Sequence, residues 1–258
     1  MLKTRVIPTL LWKKFGLVKG VGFDSWRRVG PVLPAIKVYN QREVDELILV
    51  DIIAHCSEDE LDFESIEEFG QDCFVPLTVG GGISRIDQVQ RLLRAGADKI
   101  SINTAAYERP DLVAEIAARH GSQCVVASVD VRSVDGGWRC YSHAGGSDTG
   151  REVVAWCREL EDRGAGEILA TSIERDGTME GYDLALIESI AGAVDIPVIA
   201  SGGAGNYEDM VAAVSEGGAS AVAAASMFHF TEHTPAGAKD ALDAAGVPVR
   251  KTYIQTGQ

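Results

Sequence analysis

Asp130 closes the apolar run Val125-Val126-Ala127-Ser128-Val129. A carboxylate at the end of a buried strand loses its water, which raises its pKa toward the range of a general acid or base. The position would equally suit an aspartate that caps a turn. Thr171 ends a second run, and Ile173-Glu174-Arg175-Asp176-Gly177 follows it. There Asp176 and Gly177 either shape a turn or present N–H groups to a phosphate. Asp51 closes a further run at the same level.

Two other stretches read as copies of each other. Val75-Pro76-Leu77-Thr78-Val79 with Gly80-Gly81-Gly82 recurs as Ile196-Pro197-Val198-Ile199-Ala200 with Ser201-Gly202-Gly203. Each is followed by a helical pattern and then by another apolar run, Lys99–Thr104 and Ala221–Ser226. A strand that ends in glycines at the mouth of a helix can aim backbone N–H groups at an anion. A lone glycine pair needs no more than a tight turn to explain it. The duplication is the stronger signal and points to two phosphate sites on a pseudo-symmetric scaffold. Gly82, Asn103 and Thr104 would build the first, and Gly202, Gly203, Ala225 and Ser226 the second. The substrate expected is small, with a phosphate at each end.

A second set of charges lies at the opposite ends of the strands. Arg5, Glu46, Lys99 and Glu167 each open a run. If they point inward they form a ring of two cations and two anions, and buried charges need such partners. As bottom-face surface charges they would need no explanation.

The elements that must carry these residues alternate along the chain. Strands are expected at Arg5–Leu11, Glu46–Asp51, Val75–Val79, Lys99–Ile102, Cys124–Asp130, Glu167–Thr171, Pro197–Ala200 and Ala221–Ala225. Helical periodicity lies between them, as at Arg85–Ala95, Leu112–His120, Arg151–Arg163, Asp183–Ala193 and Tyr207–Ser215. Gly96, Gly121, Gly164 and Gly217 stand where a left-handed C-cap is wanted. Eight strand–helix units with an internal repeat predict one parallel (β/α)8 barrel domain over residues 1–258. Two long inserts, Phe15–Pro34 and Val131–Gly150, follow strands 1 and 5 and are expected as covering loops on the C-terminal face. Lys19 lies in the first.

Composition narrows the class. The chain has 258 residues, 46% of them hydrophobic, and a net charge of −14. That balance argues against a nucleic-acid partner, and no apolar run reaches the length of a membrane span. Met1-Leu2-Lys3-Thr4-Arg5 runs straight into a strand without a signal-type segment. The five cysteines, Cys56, Cys73, Cys124, Cys140 and Cys157, show no CxxC spacing. Reduced thiols in a cytoplasmic protein are expected, with no metal and no cofactor.

Taken together, these residues resemble the cyclase subunit family of imidazole glycerol phosphate synthase. The likeness covers essentially the whole chain. It rests on Leu47–Ile52, Thr78–Ile83, Gly164–Leu169, Thr171–Thr178 and Ile199–Gly205. The resemblance implies a lyase that takes ammonia from a glutaminase partner through the barrel. Arg5, Glu46, Lys99 and Glu167 match the family's charged gate, and Asp98 matches a residue that contacts the partner. Lys19 and Asp130 match functional positions, and Gly82, Asn103, Thr104, Asp176, Gly177, Gly203, Ala225 and Ser226 match its phosphate sites. One departure stands out. The family carries aspartates at the ends of strands 1 and 5, whereas Ile7-Pro8-Thr9-Leu10-Leu11 puts Leu11 opposite Asp130 in the repeat. This start resembles a paralogous branch associated with acetamidino groups on surface-polysaccharide sugars. His143, in the loop after strand 5, fits that branch as well. A non-catalytic ammonia conduit is the remaining alternative.

Overall fold

Short runs rich in Val, Ile, Leu and Ala, buried on both faces, suit a parallel sheet covered by helices. In a computed structural model that describes residues 2–14, 16–52 and 61–251, eight such runs close into a barrel. They are β1 (Arg5–Lys13), β4 (Leu47–Asp51), β5 (Leu77–Gly80), β6 (Lys99–Ile102), β7 (Val125–Val134), β10 (Glu167–Ser172), β11 (Val198–Ser201) and β12 (Ala221–Ala224). All neighbours pair in parallel, and β12 returns to β1 with Arg5 beside Ala221. The crossovers carry α1 (Val32–Gln41), α2 (Phe63–Gln71), α3 (Ile86–Arg94), α4 (Thr104–Glu108), α5 (Asp111–His120), α6 (Val153–Asp162), α7 (Leu184–Ala191), α8 (Tyr207–Ser215), α9 (Ser226–Phe230) and α10 (Pro235–Ala244). This is the expected (β/α)8 architecture. Among the described residues no helix is long and apolar enough to cross a membrane.

The period of two along each strand sorts the barrel interior into layers. On β1, Arg5 lies at the bottom, Ile7 in the middle, and Thr9 and Leu11 at the top. Ile7, Ile48, Val126, Leu169, Ile199, Ala221 and Ala223 form one apolar cluster inside the barrel. The larger core lies outside the strands, where residues such as Val6, Leu10, Leu47 and Ile100 meet the helices.

Both inserts differ from expectation. The first folds as an antiparallel ribbon, β2 (Gly16–Val21) and β3 (Asp24–Gly30), built on the upper end of β1. In the second, β7 runs on to Val134 and pairs with β8 (Gly137–Ser142), which pairs with β9 (Ser147–Glu152). Arg151 and Glu152 therefore belong to β9, and α6 starts at Val153, where the Glu152 carboxylate accepts from the N–H groups of Val154 and Ala155. Sequence periodicity missed the ribbons because β3 and β9 are largely exposed on both faces.

The glycine reading also needs one correction. Gly96, Gly121 and Gly164 have positive φ, but after α8 it is Gly218, at φ 72°, rather than Gly217. Gly217 is small for a different reason, since a Cβ there would lie 2.8 Å from the Ala213 carbonyl. The four described cysteines, Cys73, Cys124, Cys140 and Cys157, are free thiols. Cys56 lies outside the described residues.

Candidate active site

A cavity of about 460 Å³ opens at the C-terminal ends of the barrel strands. Asp130, Lys19, Gly82, Asn103, Thr104, Thr171, Asp176, Gly177, Gly202, Gly203, Ala225 and Ser226 all line it. The twelve residues come from most of the barrel strands and from one ribbon, so only closure of the barrel brings them together.

The glycine turns are dictated by close backbone approach. Gly81, at φ 105°, leaves a position whose Cβ would lie 2.0 Å from the Asp51 carbonyl. Its counterpart Gly202, at φ 85°, would meet the Ser172 carbonyl at 2.6 Å. Only glycine tolerates both the angle and the contact. The expected helix mouths are different, because α3 starts four residues after Gly82 and α8 starts four after Gly203. The helices that begin at the cavity are the one-turn α4 and α9, whose first residues are Thr104 and Ser226.

Asp130 is buried and accepts a hydrogen bond from Asn103 Nδ2 at 2.9 Å. The same amide nitrogen faces the carbonyls of Ser128 and Tyr141 at 3.2 and 3.3 Å. Burial pushes the Asp130 carboxyl up to about 7, and the nearby charge of Asp176 adds to the rise. It is thus poised to gain or lose a proton near neutral pH. Asp176 is itself raised by burial, against the charge of Lys19 and a backbone hydrogen bond from Phe23. Its Oδ2 has no hydrogen-bond partner among the described residues. Lys19 is 3% exposed, and burial lowers its pKa while Asp176 opposes the shift.

The two ribbons meet over the mouth. The Gly22 N–H donates to the Asp176 carbonyl at 2.9 Å. Gly145, in the β8–β9 turn, packs closely on Phe23 and Ile173, where a Cβ would lie 3.2 Å from each side chain. In the same turn the His143 N–H donates to Thr104 Oγ1, and its ring lies 3.4 Å from Glu108. Phe23, Trp26, Glu108, Ser128, His143 and Ser201 line the cavity as well. Ser128 and Ser201 were legible as inward strand positions; the ribbon residues Phe23 and Trp26 carried no comparable signal.

At the other end of the barrel the four predicted charges do form a ring. Arg5 Nη1 lies 2.7 Å from Glu46 and 3.0 Å from Glu167, and Lys99 Nζ lies 3.0 Å from Glu46 and 3.1 Å from Glu167. Thr78 Oγ1 donates to Glu46 at 2.8 Å. Every charge therefore meets two of opposite sign. Asp98 is exposed beside this ring, and its carboxylate accepts the Leu77 N–H at 2.8 Å.

Comparison with known proteins agrees with this geometry. A model of the family described as "Histidine biosynthesis protein" matches residues 5–234. Imidazole glycerol phosphate synthase subunit HisF of Caulobacter vibrioides (strain NA1000 / CB15N) is 48% identical over 252 residues, 97% of this chain and 97% of that protein. The subunit of the same name from Hyphomonas neptunium (strain ATCC 15444) is 48% identical over 250 residues, 97% of this chain and 99% of the relative.

Proposed function

The chain belongs to the histidine biosynthesis protein family, and from that premise we propose that it works as the cyclase subunit of an imidazole glycerol phosphate synthase. In this reaction ammonia attacks a bisphosphate ribulosyl aminoimidazole carboxamide intermediate. The products are imidazole glycerol phosphate, aminoimidazole carboxamide ribotide and water. The observation that carries the reading is the pairing of a cavity lined by duplicated glycine turns with an axial charged ring at the other end of the same barrel.

Each group has a role in this reading. The turns at Gly82 and Gly202-Gly203, with Asn103, Thr104, Gly177, Ala225 and Ser226, hold the two phosphates. Asp130 exchanges protons with the cyclising intermediate, since its pKa of about 7 makes both states accessible. Thr171, its direct register partner on β10, orients the reacting centre. Lys19, beside Asp176, brings positive charge to the substrate from the first ribbon.

Ammonia enters at the bottom in this scheme. A glutaminase subunit docks around Asp98 and delivers it to the ring of Arg5, Glu46, Lys99 and Glu167. Above the ring the path crosses the apolar layer of Ile7, Ile48, Val126, Leu169 and Ile199. A neutral molecule passes such a layer, whereas an ion would lose its hydration there. The layer thus selects ammonia over ammonium.

Leu11 favours a second reading, in which the ammonia acceptor is a nucleotide-linked sugar that gains an acetamidino group. Leucine cannot transfer a proton, and such transfer contributes about 10²–10⁴-fold in rate. One assay separates the two readings. The purified chain is given the histidine-pathway bisphosphate with excess ammonium at alkaline pH, and substrate loss is followed by absorbance. Turnover establishes the cyclase; binding without turnover moves the assignment to the second acceptor.

A further inference from the structure

The half-barrel repeat that pairs Leu11 with Asp130 also pairs Thr9 with Ser128, two residues earlier on each strand. Both carry a hydroxyl, and both line the cavity. Their surroundings differ. The Ser128 side chain hydrogen-bonds to Asp130, and that bond works against the rise of the Asp130 carboxyl. On β1 the place of Asp130 is taken by Leu11, which offers no acceptor. Thr9 Oγ1 is buried and has no hydrogen-bond partner among the described residues. A buried hydroxyl in that state costs free energy that valine at the same place would avoid.

The place of Thr9 on its strand points to a ligand. Along the inner face of β1, Arg5 belongs to the charged ring and Ile7 to the apolar layer. Thr9 is the first polar side chain above that layer on this strand, in register with Ile48 of β4. A small molecule that rises through the layer therefore reaches it at the floor of the cavity. Thr9 is part-exposed there, and one staggered χ1 step exchanges its methyl for the hydroxyl. Its neighbours Ile7, Leu11 and Ile48 are apolar, which suits a neutral ligand of the size of water rather than an ion. A hydroxyl that accepts one N–H of ammonia adds no proton and leaves the nitrogen lone pair free.

We propose that the Thr9 hydroxyl is an ammonia-binding group: it receives ammonia as it leaves the apolar layer and holds it on the β1 side of the cavity, across the barrel from Asp130. The bond satisfies the orphaned oxygen and fixes the nucleophile below the bound acceptor. Ser128, its mate in the repeat, is engaged by Asp130 and is not free for this task. The proposal rests on the cyclase reading, which makes ammonia the nucleophile.

The test is steady-state kinetics of the wild-type chain, Thr9→Val and Thr9→Ser with the histidine-pathway bisphosphate and ammonium salts at alkaline pH. Each substrate is varied in turn, and the thermal midpoint of each chain is measured alongside. Valine keeps the shape without the hydroxyl, and serine keeps the hydroxyl. Thr9→Val should lower kcat/KM for ammonia about fivefold and leave KM for the bisphosphate unchanged. Its thermal midpoint should rise by about 2–4 °C, because the orphaned hydroxyl is gone. Thr9→Ser should retain most of the ammonia kinetics. An unchanged kcat/KM for ammonia in Thr9→Val would overturn the proposal, as would a loss carried by KM for the bisphosphate. A lower midpoint in Thr9→Val would mean that the hydroxyl is bonded within the protein, and would overturn it too. A wild-type chain without turnover overturns the cyclase reading and this proposal together.

Discussion

Leu11 and Asp130 occupy equivalent positions on the two half-barrels. Each lies where its strand takes up the appended antiparallel ribbon, Leu11 opposite Val18 and Asp130 opposite Tyr141. Both line the cavity, from strands on opposite sides of the barrel. The repeat therefore places an apolar side chain where its mate is a carboxylate, so this pair of positions holds one carboxylate instead of two.

Restoring the mate should change the chemistry. Leu11→Asp is expected to raise ammonium-driven turnover of the bisphosphate by about 10²–10⁴-fold, the usual contribution of a positioned acid or base. Steady-state kcat measured on both chains checks this. An unchanged kcat would mean that proton transfer on this side is already supplied by another group.

Asp130 carries a signature in stability as well as in rate. Its carboxyl is raised to about 7 in the folded chain against about 4 when unfolded. Between these values the folded state binds the extra proton, so stability falls as pH rises through the window. The penalty, on the order of 4 kcal/mol at full ionisation, is absent in Asp130→Asn. The melting temperature of Asp130→Asn minus that of wild type should grow from pH 4 to pH 7 and level off above it. Its turnover should be lost across the whole range. A difference that stays flat with pH would remove the poised carboxyl from the account.

Much of this site could be read from residue order because parallel strands advance with a period of two. Arg5, Ile7, Thr9 and Leu11 share one face of β1 whatever the barrel's detail, so charged openings and polar ends fall into separate layers. The duplicated glycines were legible for a steric reason, since Gly81 and Gly202 each back onto a neighbouring carbonyl. The ribbons were not. In β3 the run Asp24–Gly30 shows no alternation, because neither face is buried, and its pairing is fixed by backbone contacts to β2. Trp26 on β3, and Phe23 in the turn before it, were invisible as cavity-lining residues for that reason. The one-turn helices α4 and α9 escaped because five residues are too few to show a helical period.

A stability prediction follows from the base of the barrel. Asp45 Oδ1 accepts from Lys239 Nζ at 2.7 Å and Arg250 Nε at 2.9 Å, and Oδ2 accepts the Val6 N–H at 2.9 Å. Lys239 is 2% exposed, so loss of Asp45 leaves a buried ammonium with only the Glu43 carbonyl. Asp45→Ala should cost about 3–5 kcal/mol, read as a lower urea midpoint with an unchanged slope. Pairing it with Lys239→Met should return part of that loss, because the stranded charge is gone.

The charged ring should show strong coupling between its members and a functional split. Glu46 is nearly fully buried and is held by Arg5, Lys99 and Thr78. Glu46→Gln leaves two cations sharing Glu167 alone, and a loss of about 3–5 kcal/mol is expected. Lys99→Met alone unbalances the ring in the other sense. In the double variant one carboxylate and one cation remain, Arg5 with Glu167, so the double loss should fall short of the sum by about 0.5–3 kcal/mol. The ring lies a full barrel length from Asp130, so turnover with added ammonium salts should survive in every variant that folds. Turnover driven by glutamine through the partner should fall in the same variants, because the entry point is altered. A variant that loses both activities in equal proportion would place the ring in the folding of the barrel alone, outside any route for ammonia.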